Sequence, residues 1–153
     1  MPWALAPALA VFAVLGLALA VIDVRTHRLP DALVLPGGAT ILVLLVGSAL
    51  NIGEPERVGG VVGGAALAFV GCLAVHLARP AAFGGGDVKL AAVCGAVLGW
   101  CGVEAAVSGL AAGFVAGGVA AAGTIAAGER GAALAFGPFL LAGTWWRVLS
   151  GPW

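Results

Sequence analysis

Asp23 and Asp87 are the two residues of this chain best placed to do chemistry. The first sits in "IDVRTHRLPD" (22–31) and the second closes "FGGGD" (83–87), each beside a long apolar run. A charge carried to mid-membrane depth costs about 2.5–3.5 kcal/mol on insertion scales, so it tends to be kept for function. Two carboxylates a few ångströms apart do not both ionise cheaply, and such a pair shares a proton. The ionised member can take a proton from water while the protonated one hydrogen-bonds a carbonyl. That is general acid–base hydrolysis of an amide with no covalent intermediate. The pair titrates as a unit, and the sequence does not say which aspartate is the base.

The glycines before Asp87 fit this use. A run without Cβ atoms lets another backbone approach closely and lets a loop take positive φ. Gly84, Gly85 and Gly86 are therefore read as a hinge presenting Asp87 to an extended peptide. A phosphate loop is excluded, because Lys89 follows Val88 and precedes Leu90, where the G-x-x-x-x-G-K-[ST] pattern needs Gly-Lys-Ser/Thr. Other hydrolytic schemes lack their parts. There is no HExxH, His27 and His76 are far apart, and Ser48, Ser108 and Ser150 have no nucleophile-elbow context. Cys72, Cys94 and Cys101 form no CxxC pair and read as small core residues, so neither a metal nor a cofactor is expected.

The remaining acidic residues have plainer readings. Glu54, Glu56 and Glu129 lie in polar turns beside Arg57 and Arg130 and read as solvated loop charges. Glu104 marks a helix end at the outer surface. Asp31, after Pro30 and before an apolar run, reads as a helix N-cap.

The elements that must position these aspartates lie in lipid. The chain is 62% hydrophobic and 9% charged, against roughly a quarter charged for soluble domains. Its mean hydropathy is +1.14. Net charge is zero, so nothing points to nucleic acid. Hydropathy marks six spans, at about 3–22, 32–51, 58–78, 88–103, 105–127 and 133–149, the fourth being the shortest. The first resembles a signal peptide, but no Lys or Arg precedes it, and it is read as a retained helix. The expected fold is all-α: one polytopic bundle of about six transmembrane helices, residues 1–153 forming a single domain.

Glycines spaced by four, as in Gly59/Gly63, Gly60/Gly64 and Gly113/Gly117, suit close helix packing in lipid. Pro36 is expected to kink the second span. With the first helix entering from outside, the odd connections carry Arg25, Arg28, Arg79, Lys89 and Arg130, against Arg57 and Arg147 on the other side. That bias puts the odd connections, and both aspartates, at the cytoplasmic face.

Three segments resemble the type IV prepilin peptidases. "FGGGDVKLAAVCG" (83–95) is similar to their GxGD signature, with Gly84, Gly86 and Asp87 at the defining places and Lys89-Leu90 following. "IDVRTHRLPDALVLP" (22–36) resembles the family's first aspartate segment, with Leu29, Pro30 and Asp31 as its Leu-Pro-Asp element. "FGPFLLAG" (136–143) is similar to its last-helix element, in which Phe136, Gly137 and Pro138 would set a kink or a packing surface beside the site.

The resemblance implies an aspartyl endopeptidase of the cytoplasmic membrane, with Asp23 and Asp87 as the catalytic pair facing the cytoplasm. The implied partner is a prepilin or pseudopilin precursor that loses a short basic leader. Presenilin-type relatives pair GxGD with a Tyr-Asp motif, and this chain has no tyrosine. Larger members carry paired CxxC motifs in an insert and methylate the new N-terminus; here both are missing, so cleavage without methylation is expected. The competing reading is a small helical scaffold, or an ion- or proton-coupled transporter-like bundle using the same aspartates. A proton relay would tolerate Asp→Glu better than a peptidase pair.

Overall fold

The computed structural model describes residues 2–80, 83–128 and 134–151. Six helices follow in order: α1 (Pro2–Thr26), α2 (Asp31–Asn51), α3 (Glu56–Ala78), α4 (Gly85–Gly99), α5 (Val103–Ala126) and α6 (Gly137–Ser150). Among the described residues there are no strands, and the chain is an all-α polytopic membrane protein. Glu129 and Arg130 lie outside the described residues.

Four helices, α1, α2, α3 and α5, are long and apolar enough to cross a bilayer. Two of the six expected spans differ. α4 and α6 have 15 and 14 residues, roughly 22 Å at 1.5 Å per residue, against a hydrocarbon core of about 30 Å. α4 packs against α2, α3, α5 and α6. Eleven of its residues are buried, so hydropathy marks it as a span although protein rather than lipid covers it.

The outer surface carries large apolar side chains such as Val14, Leu17, Val43, Leu77 and Val119. With lipid as apolar as the core, helix association rests on packing and interhelical hydrogen bonds. The packing is visible in the glycines. A Cβ on Gly60 or Gly64 of α3 would run into the backbone of Gly99 and Gly95 of α4, and the reverse holds. Gly113 lies against the Phe139–Leu140 backbone. Gly59 and Gly63, by contrast, face open space, so that expected pair takes no part in packing within the chain. Ser48 adds a polar tie, its hydroxyl donating to the Ala4 carbonyl at 2.8 Å. α2 continues as helix through Pro36.

The end of α1 and the starts of α2, α4 and α6 come together at one end of the bundle. At the other end Arg57 is more than a neighbour of the expected loop charge Glu54. It pairs with Glu54, donates to the Trp100 carbonyl at 3.0 Å and sits 5.2 Å from the Trp100 ring centroid. That joins the start of α3 to the end of α4.

Candidate active site

α1 does not stop before Asp23. It runs one further turn to Thr26, so Asp23 belongs to the last turn of the helix and does not flank it. His27 ends the helix in the left-handed region, φ 52°, and its N–H donates to the Asp23 carbonyl at 2.8 Å. This is a single-bond left-handed C-cap, a conformation histidine adopts more readily than most residues. It turns the chain so that Leu29, Pro30 and Asp31 pass in front of α4.

The glycines do something other than expected. Gly84 is the N-cap residue of α4, extended at φ −75°, ψ 152°, while Gly85 and Gly86 are its first helical residues. None of the three has positive φ, so they form a helix start and not a left-handed hinge. What they share is bare backbone. A Cβ on Gly86 would stand 2.8 Å from Leu29 Cβ, whereas one on Gly85 would meet nothing within 4 Å. Gly86 is therefore the seat of the Leu-Pro-Asp element, and Gly85 leaves the wall of the site open.

Asp87, in the first turn of α4, accepts a hydrogen bond from the Gly84 N–H through Oδ2 at 3.1 Å. Its Oδ1 is buried and makes no hydrogen bond among the described residues, a state for a carboxyl oxygen that costs free energy unless a proton or a ligand meets it. Asp23 accepts from the Gly137 N–H through Oδ2 at 2.9 Å. Each carboxylate is thus met by the positive end of a helix, α4 for Asp87 and α6 for Asp23, which favours negative charge there. Burial opposes it, since Asp23 is 4% and Asp87 9% exposed. The two aspartates, 64 positions apart in sequence, line one cavity of about 300 Å³ together with Gly84, Gly85 and Gly86.

Asp31 is the first residue of α2 and makes no cap hydrogen bond; Pro30 holds the N-cap position. The Asp31 carboxylate instead takes Lys89 Nζ on both oxygens, at 2.7 and 2.6 Å. Lys89 thus ties α4 to α2 at the rim of the cavity. Phe136 and Pro138 flank the amide that reaches Asp23. Gly137 is glycine because a Cβ there would stand 2.8 Å from Asp23 Oδ2. The expected packing role of this element extends to a direct contact with the carboxylate.

His27 and Arg28 also line the cavity. His27 is not among the site residues expected from the sequence, although its place four positions after Asp23 is a usable signal. His76 donates from Nδ1 to the Phe83 carbonyl at 2.7 Å and so steadies the segment that leads into Gly84. Among the described residues no cluster of His, Cys, Asp and Glu has the form of a metal site.

A family model described as the type IV leader peptidase family matches residues 10–127. No curated protein and no solved structure matches. The matched stretch takes in both aspartates and the glycines, and it ends before α6.

Proposed function

The chain belongs to the type IV leader peptidase family, and from that premise we propose that it is a membrane aspartyl endopeptidase with Asp23 and Asp87 as its catalytic pair. The observation that carries the reading is their joint cavity, in which two buried carboxylates from separate helices face a wall of glycine backbone. Gly85 leaves room there for an extended peptide to lie close to Asp87.

With one proton on the pair, the protonated carboxyl donates to the scissile carbonyl oxygen and polarises it. The ionised carboxylate removes a proton from water as the water oxygen bonds to the carbonyl carbon. Collapse of the resulting tetrahedral species breaks the C–N bond, and the departing amine takes the proton held by the second aspartate. The pair returns to a single shared proton, and no covalent enzyme intermediate forms.

The proposed substrate is a prepilin- or pseudopilin-like precursor whose short basic leader is removed at the cytoplasmic face of the cell membrane. The cation bias toward the odd connections supports that sidedness. With no cysteine pairs of the CxxC type in the sequence, the chain is proposed to cleave without methylating the new N-terminus.

The test expresses wild type, Asp23→Asn and Asp87→Asn in membranes with a tagged prepilin-like substrate and follows leader loss by gel shift. Asn keeps the shape but serves neither as base nor as protonated acid. Wild-type cleavage with both variants silent is the expected result. Cleavage by either variant at the wild-type rate would remove that aspartate from the mechanism. Asp→Glu variants separate this reading from a proton relay, which would keep its function where the peptidase loses most of its own.

A further inference from the structure

The two amides that hold the aspartates each follow a phenylalanine. Phe83 immediately precedes Gly84, whose N–H reaches Asp87, and Phe136 immediately precedes Gly137, whose N–H reaches Asp23. The two rings meet edge to face with centroids 5.2 Å apart. Phe114 of α5 completes a triangle, 5.7 Å from Phe83 and 5.1 Å from Phe136. Aromatic pairs at these separations have preferred geometries, so they fix direction as well as proximity. Gly117 of α5 lies against the Phe136 ring so closely that a Cβ there would overlap it.

We propose that Phe83 and Phe136 act as paired positioning residues that set the separation of Asp23 and Asp87. Neither ring is among the residues lining the aspartate cavity. Each acts through the glycine amide that follows it, and the contact between the rings locks the start of α4 to the start of α6. Phe83 is itself held from α3, its N–H donating to the Arg79 carbonyl at 3.1 Å and its carbonyl accepting from His76. The catalytic meaning of that separation rests on the two-aspartate reading above, whereas the geometric claim does not. Half of the device lies on α6, beyond the stretch that the family model matches.

The test has two readouts. In a background carrying Cys72→Ala, Cys94→Ala and Cys101→Ala, the pair Asp23→Cys and Asp87→Cys is treated with a short bifunctional thiol reagent. Crosslinking should drop several-fold on adding Phe83→Leu, Phe136→Leu or Gly117→Ala. It should stay unchanged on adding Phe12→Leu, a buried ring that packs on Trp145 away from the site. Unchanged crosslinking in both site variants, or an equal loss with Phe12→Leu, overturns the proposal.

In the native-aspartate enzyme, kcat for Phe83→Leu and Phe136→Leu should fall by about 10- to 100-fold with KM within about twofold, as for displaced but intact catalytic groups. The double variant should lose no more than the worse single one, because the rings act as a unit. Independent, multiplying losses would overturn the pairing. If wild type cleaves no prepilin-like substrate, the peptidase reading falls while crosslinking still decides the positioning claim.

Discussion

Gly85 and Gly86 are adjacent residues of one helical turn, yet different surroundings require each to be glycine. Leu29 occupies the side of Gly86 where a Cβ would go, at 2.8 Å, and that is a contact with a Cβ atom that has little room to give. Gly86→Ala should therefore destabilise the fold by about 1–3 kcal/mol, the usual range for overpacking, read as a lower unfolding midpoint in detergent. Gly85→Ala adds its methyl to open space, so the midpoint should hold while cleavage slows several-fold as the cavity narrows. Equal midpoints for the two variants would contradict this division. The Lys89–Asp31 pair makes a different case. It has good geometry, but its side chains are 36% and 57% exposed, and exposed pairs contribute about 0–1 kcal/mol. Lys89→Met should shift stability by no more than that, measured by the same unfolding midpoint. The aspartates themselves predict a pH profile. Activity should fall at low pH, where both are protonated and no base remains, and again at high pH, where both are ionised and no acid remains. The bell belongs to the pair and is measured as kcat/KM against pH on the membrane-embedded enzyme. A profile with only one limb would argue against a shared proton.

At the scale of helices, the chain's pattern of small residues is ambiguous in a way that geometry resolves. Gly59/Gly63 and Gly60/Gly64 have identical spacing on the same helix, but only the second pair faces α4. Spacing by four says that one face is small; it does not say which face meets a neighbour, because lipid accepts a glycine as readily as a leucine does. Gly64→Val should strongly disturb the α3–α4 crossing, since the atoms opposite are backbone and cannot rotate away. Gly59→Ala should be neutral, or stabilising by up to about 1 kcal/mol through helix propensity. Thermal unfolding followed by the fluorescence of the five tryptophans distinguishes the two, and similar losses would show that lipid-facing glycines also carry structure. The same ambiguity explains what was legible beforehand. Helix number, order and approximate limits followed from hydropathy, because each long apolar run can only be a helix in lipid. The shared end of Asp23 and Asp87 followed from strict alternation of direction. The Gly137 amide on Asp23 did not, because a contact across 114 positions leaves no local trace. Nor did the Asp31–Lys89 pair, since Asp31 after Pro30 looks like any cap until α4 is seen beside it.

The whole molecule has a direction, and its chemistry depends on it. The end of α1 and the starts of α2, α4 and α6 share one end of the bundle, and Asp23 and Asp87 meet there. The α2–α3 turn, with Arg57 clasped by Glu54 and Trp100, lies at the other end. Five of the seven Lys and Arg residues lie in the odd connections of the sequence, and from that bias the positive-inside rule predicts a cavity open to the cytoplasm. Single cysteines test this in the background lacking Cys72, Cys94 and Cys101. His27→Cys, exposed at the cavity end, should react with a membrane-impermeant maleimide in inside-out vesicles and stay unlabelled in intact cells. Glu54→Cys should do the reverse. Neither position is one of the two aspartates, so labelling is read without reference to activity. Reversed labelling would turn the cavity outward, away from a basic leader held on the cytoplasmic side, and the proposed cut could not take place there. Labelling as expected leaves the two carboxylates at the face where such a leader would meet the membrane.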